Sequence, residues 1–101
     1  MSLSDRAPIR HEDLESAFEP LTTDQLAHFA AFHTTPLYPP VRRHLDRGIA
    51  RSLDTIGNPK ATLEEIRKAQ AELGVFRELI DLFERDGVSA YEKRRRKEQP
   101  A

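Results

Sequence analysis

From Val41 onward the apolar positions fall into two helical stripes. Val41, Leu45, Ile49, Leu53 and Ile56 recur at spacings of four, four, four and three, which is the repeat of one helix face. Gly57-Asn58-Pro59 breaks the pattern, and the spacing predicts a stop there with Gly57 in the left-handed C-terminal turn. Thr62 with Glu65 forms a capping box, the hydroxyl accepting from a free backbone amide while the carboxylate reaches back. The helix it opens is expected to reach Arg85. Its apolar positions Ile66, Ala69, Leu73, Phe76, Ile80 and Phe83 alternate spacings of three and four, an a/d heptad seam. Two seamed helices joined by a short loop must pack antiparallel, so a helical hairpin is predicted over about 41–56 and 63–85. Gly48 and Gly74 each cost about 1 kcal/mol against Ala inside a helix. They mark either close backbone approach or simple tolerance.

The flanks are weaker. His11 to Phe18 suits a short helix closed by Pro20, and Thr22 with Gln25 forms a second capping box opening a helix to about His33. Thr34 to Pro40, TTPLYPP, must bend, because three prolines remove donors and push preceding residues toward extended geometry. Leu37 and Tyr38 stand on that bend, either plugging the end of the helix pair or offered to a partner. Asp86-Gly87 is expected to end the long helix, and Ser89 with Glu92 to open a last short one. No segment alternates with the period of two that a strand requires. The fold class expected is all-α: an extended arm over 1–10, one helical domain over 11–88, and a basic tail over 89–101. The predicted core is Phe18, Leu26, Phe29, Leu45, Ile49, Leu53, Ile66, Leu73, Phe76, Ile80 and Phe83. Leu79, Leu82, Val75 and Phe32 are left needing another surface.

Composition narrows the chemistry. Leu, Ile, Val and Phe fill 24 of 101 positions, so the core is small. Cysteine is absent, which removes disulfides, thiol nucleophiles and Cys-type zinc sites. The serines at 2, 4, 16, 52 and 89 sit in no glycine-rich elbow, and the four isolated glycines build no phosphate-cradling loop. Ser52 and His44 would stand about 12 Å apart along a helix, too far for a catalytic pair. Histidines 28 and 33 are five apart and face different sides, against the three or four a helical metal pair needs. The expectation is therefore no enzyme, no metal and no cofactor. No apolar run approaches the roughly 20 residues of a membrane span, and no basic-then-apolar leader precedes a cleavage site. A place in a membrane or export through a signal peptide is not expected.

Charge adds two local features to a chain whose 16 basic and 17 acidic residues nearly cancel. Arg43, Arg47 and Arg51 recur every fourth residue. They form either a stripe for phosphates or an acidic partner, or one side of ion pairs with Glu65 and Glu72 across the hairpin. Lys93, Arg94, Arg95, Arg96 and Lys97 are five consecutive positive charges, suited to nucleic acid or an acidic groove, or simply solvated. Residues 1–35 hold two basic and six acidic side chains, so head-to-tail contact between copies is a further expectation.

The aromatic held between prolines in Pro36-Leu37-Tyr38-Pro39, the basic amphipathic helix, the Asn58-Pro59 break and the closing helix Glu72 to Leu82 resemble small helical proteins encoded among tailed-phage structural genes. The resemblance spans residues of about 33–83. It implies a setting, virion assembly or a virion component in the virion or host cytoplasm, and it transfers no catalytic residue. The function expected is a structural or interaction protein, a connector or capsid-associated subunit acting as a homo- or hetero-oligomer. Leu37, Tyr38, Leu79 and Leu82 are the candidate partner-binding residues. The alternative is a small nucleic-acid-binding regulator using the arginine stripe and the basic tail. An inhibitor capping a host protein would look the same in sequence.

Overall fold

The computed structural model describes residues 16–99. The arm over 1–10 and most of the expected 11–18 helix lie outside the described residues; 16–18 are helical. The chain then forms α1 (Thr23–Ala31), a 3-10 turn (Phe32–Thr34), α2 (Tyr38–Ile56), α3 (Leu63–Asp81), a π turn (Leu82–Asp86) and α4 (Gly87–Glu98). Among the described residues the fold is all-α.

Two of the three capping boxes form. Thr22 accepts from the Gln25 amide at 3.1 Å while Gln25 accepts from the Thr22 amide at 2.9 Å. Thr62 and Glu65 exchange the same bonds at 3.1 and 3.3 Å. The third does not cap a helix. Ser89 and Glu92 lie inside α4, because the long helix does not stop at Asp86-Gly87: it passes through the π turn and runs on to Glu98. Gly87 stays right-handed at φ −63° and ψ −42°. What calls for glycine here is space, since an added Cβ would lie 2.5 Å from Phe29 Cδ1. Gly57 is likewise right-handed, at φ −84° and ψ −2°, and the expected left-handed turn is absent. The reversal is made instead by Asn58, whose Oδ1 accepts from Lys60 N and whose carbonyl accepts from Ala61 N.

Helix α2 begins at Tyr38, three residues before the expected start. Pro39 and Pro40 occupy its first turn, where a missing N–H leaves no helical bond unmade and the fixed φ is already helical. The expected bend forms over 35–37, where the Tyr38 amide bonds the Thr35 carbonyl, and the last two prolines start the helix that follows.

Residues 63–98 thus form one continuous rod, about 54 Å long at 1.5 Å per residue, within a body of 60 × 36 × 18 Å. Helix α2 packs antiparallel along its first half and α1 along its second. Tyr38 near Glu84 and Gly48 against Phe76 fix the register of the first pair; Phe29 at Gly87 and Thr23 bonded to Glu98 fix the second. Each of these helices has one principal helical neighbour, so among the described residues no third helix packs along the hairpin.

The α2 seam differs from the expected stripe. Tyr38, Leu45, Gly48 and Ser52 are its buried positions, whereas Leu53 is 47% exposed. A run at i, i+4 advances 40° around the helix at each step, so Val41, Leu45, Ile49 and Leu53 wind off the contact line. The seam returns instead at seven-residue intervals, through Tyr38, Leu45 and Ser52. Of the predicted core, Phe18, Leu26 and Leu45 are fully buried and the remainder are half-buried, apart from Leu53.

Candidate functional site

Where the two halves of the rod meet, five rings share one cluster. Phe83 on the π turn lies 5.8 Å from Phe29, 5.5 Å from Phe32 and 5.8 Å from Tyr38, centroid to centroid. Phe18 extends the cluster, 5.3 Å from Phe29. Beside it stands a polar node. The Tyr38 hydroxyl donates to Glu84 at 2.5 Å, and Arg42 bonds both Glu84 and Asp46, the latter at 3.0 Å. Burial, reinforced by Glu84, pushes the Tyr38 phenol up to about 12. The Tyr38 bond and then Arg42 hold the Glu84 carboxyl below its ordinary value, against the opposing effect of burial. Arg42 is raised, chiefly by Glu84. These shifts move each group away from neutrality, the reverse of what proton transfer at pH 7 requires. The node locks the start of α2 to the π turn.

Tyr38 is therefore a structural residue, only 5% exposed, and it does not face a partner as one of the sequence alternatives had it. Leu37, next to it, is 71% exposed. Leu79 and Leu82 are half-buried.

Two faces of the hairpin lie open among the described residues. On one, Gly48, Arg51, Ser52 and Thr55 of α2 and Glu72 and Phe76 of α3 line a groove of about 400 Å³. Ser52, 3% exposed, has a hydroxyl with no hydrogen-bond partner. On the opposite face the 100° step of the helix gathers Ile49 and Leu53 from α2 with Ile66 and Leu73 from α3, and Ile56 and Leu63 (63% exposed) continue the patch toward the loop. This aliphatic face is not legible as a partner surface in the sequence, because Ile49, Leu53, Ile66 and Leu73 read there as core.

The arginine stripe is solvent-facing. Arg43, Arg47 and Arg51 are exposed, and among the described residues none has an ion pair; Glu65 is engaged in its cap instead, and Glu72 borders the groove with Arg51. The basic run is not a free tail. Arg94 donates to the Leu21 carbonyl and, at 2.8 Å, to the Phe18 carbonyl, holding the chain before α1 against α4. Arg95 lies 5.8 Å over the Tyr91 ring. Arg96 and Lys97 are exposed, and Lys93 and Lys97 border a small cleft with Glu19.

Of the histidines, His33 donates from Nδ1 to the Ala30 carbonyl at 2.9 Å and His28 to the Asp24 carbonyl at 2.7 Å. Among the described residues no group of three or more potential ligands could hold a metal ion, and no helix is long and apolar enough to cross a membrane. Comparison of the chain with protein-family models, curated proteins and solved structures finds no match.

Proposed function

We propose that the protein is a non-enzymatic structural subunit that works docked to other protein subunits. The observation that carries this reading is the aliphatic face of the hairpin, which no third helix covers among the described residues and on which Leu53 and Leu63 stand about half or more exposed. Contiguous apolar surface of this kind marks protein–protein contact in a small domain. The resemblance to proteins of tailed-phage structural genes makes the setting a virion or its assembly in the host cytoplasm, with the protein as a connector or capsid-associated component. Leu37 and the half-buried Leu79 and Leu82 add apolar contact, while the exposed arginines and the basic end of α4 supply charge selectivity.

A second reading rests on one specific observation, the exposed stripe Arg43, Arg47 and Arg51, which has no ion pair among the described residues. Its members rise about 6 Å per step along α2, a spacing that suits successive phosphates of a nucleic-acid strand. Affinity capture from the native source, with and without nuclease and at low and high salt, separates the two readings. Retention of stoichiometric capsid, portal or tail proteins through nuclease and salt is the expected result. Loss of every partner on nuclease treatment overturns the docking reading in favour of nucleic acid.

A further inference from the structure

We infer that the aliphatic face of the α2–α3 hairpin is covered by a second copy of this chain, the two hairpins forming a four-helix bundle about a two-fold axis parallel to the helices. This names the occupant of the docking face proposed above, and it rests on that reading only for the face being used.

The argument starts from the register. Tyr38 beside Glu84, Gly48 against Phe76 and Ser52 near Glu72 place position 46 of α2 level with about 77 of α3, and 42 level with about 81. On α2 those levels carry Asp46 and Arg42; on α3 they carry Arg77 and Asp81. All four border the aliphatic face, since each lies roughly 60–120° from its helix's contact line on the same side as Ile49, Leu53, Ile66 and Leu73. A two-fold axis running along the hairpin sets α2 of one copy over α3 of the other without changing the level. Asp46 then meets Arg77 of the second copy; the level of Arg42 and Asp81 adds no new pair, since within the chain Arg42 is held by Glu84 and Asp46, and Asp81 by Arg85. The contact of Asp46 with Arg77 occurs twice, as an isologous interface demands. The charge complementarity rests on Asp46 and Arg77, opposite in sign at one level.

Beyond the charged levels, toward the loop, the face becomes aliphatic. Ile49 and Leu53 of one copy would lie over Leu73 and Ile66 of the other, so the apolar layer doubles where the polar rim ends. Asp46 is free to do this: its side chain is 54% exposed and shares a single bond with Arg42. Arg77 is exposed and, among the described residues, has no ion pair. The face is about 28 Å long and roughly 20 Å wide for helices of 19 residues, so two copies would bury on the order of 1,100–1,200 Å². That reaches the lower limit of stable, specific interfaces. The geometry is the ordinary one of antiparallel hairpins pairing into a bundle.

The test uses the full chain and sedimentation equilibrium. Wild type is expected to be a dimer at micromolar to high-micromolar concentration. Asp46→Arg and Arg77→Asp each place like charges together twice, and each is expected to weaken dimerisation roughly tenfold. Mixing the two variants restores opposite charge at both symmetry-related contacts, so a heterodimer of wild-type strength is expected from two weakened parents. An intramolecular role for either residue cannot produce that recovery. Leu53→Glu, at a half-exposed position, is expected to give a monomer of unchanged helical circular dichroism. A wild-type monomer at every concentration, single variants as tight as wild type, or a mixture as weak as its parents overturns the inference. If a monomeric protein still retains capsid or portal proteins through nuclease, docking stands and the face belongs to a different partner.

Discussion

Replacing Gly87 by Ala asks whether α1 is seated on the second half of the rod. The same change at Gly74 supplies the control, because both glycines are helical and only their surroundings differ. In a helix interior Ala is favoured over Gly by about 1 kcal/mol. At Gly74 an added Cβ meets nothing within 4 Å, so that gain is kept and Gly74→Ala should stabilise by about 0.5–1 kcal/mol. At Gly87 the Cβ would lie 2.5 Å from Phe29 Cδ1 and 2.6 Å from Cε1. Phe29 has little room to withdraw, held as it is between Phe18 at 5.3 Å and Phe83 at 5.8 Å. Overpacking costs typically 1–3 kcal/mol, and with the ring held on both sides the upper part of that range applies. After the helix gain is subtracted, Gly87→Ala should destabilise by about 1–2 kcal/mol. For a domain of this size that lowers Tm by roughly 4–8 °C per kcal/mol. Thermal melts of the two variants and wild type, at equal protein concentration, read the result directly. A Gly87→Ala melt at or above wild type would refute the close approach of Phe29, and with it the docking of α1 on α4.

Four further outcomes are expected. The folded Tyr38 phenol titrates near 12 and an unfolded one near 10, so its stabilisation is complete below about pH 10 and lost toward pH 12; urea titrations should show a decline of about 2–3 kcal/mol that Tyr38→Phe removes. Glu84 is shifted the other way, so its contribution is present above the ordinary carboxyl range and lost as pH falls through its lowered folded value; Glu84→Gln should flatten the acid side of a stability–pH profile. Ser52→Ala removes a buried hydroxyl without a partner and improves helix propensity, so chemical denaturation should show a gain of up to about 1 kcal/mol. Arg94→Ala removes the side-chain donor from the Leu21 carbonyl and leaves the Phe18 carbonyl with the Leu21 amide alone, and should cost about 1–2 kcal/mol, with faster amide exchange over 18–26, whereas Arg96→Ala should change neither.

The hairpin, its two amino-terminal caps and the all-α class were legible because local rules decide them: a capping box closes within four residues and a seam repeats every seven. Failure came where the deciding contact was distant in sequence. Gly87 looked like a stop because glycine commonly ends helices, but its bareness is used by Phe29, fifty-eight residues earlier. Tyr38 could be read either as a plug or as a partner contact because nothing near it in sequence reveals Glu84 as its acceptor. The run at Lys93–Lys97 read as a tail because composition cannot reveal that Arg94 reaches the carbonyls of Phe18 and Leu21. The aliphatic face was hidden for a different reason. Leu53 belongs to a perfect i, i+4 series, and only the 40° drift per step turns it outward.

The shared rod also sets an order of assembly. The hairpin joins α2 to α3 across a loop of six residues, 57–62, whereas the bonds of Thr23 to Glu98 and Arg94 to Phe18 span 75 and 76 residues. Closing the longer loop costs roughly 2 kcal/mol more in chain entropy if the intervening segment is unstructured, and less once the hairpin has shortened it. Folding should therefore begin at the hairpin and finish at the ends, with the rod's second half as the template on which α1 settles. During synthesis α1 leaves the ribosome first of the four helices, yet its principal helical neighbour, α4, follows last. The helix made earliest is the one completed last.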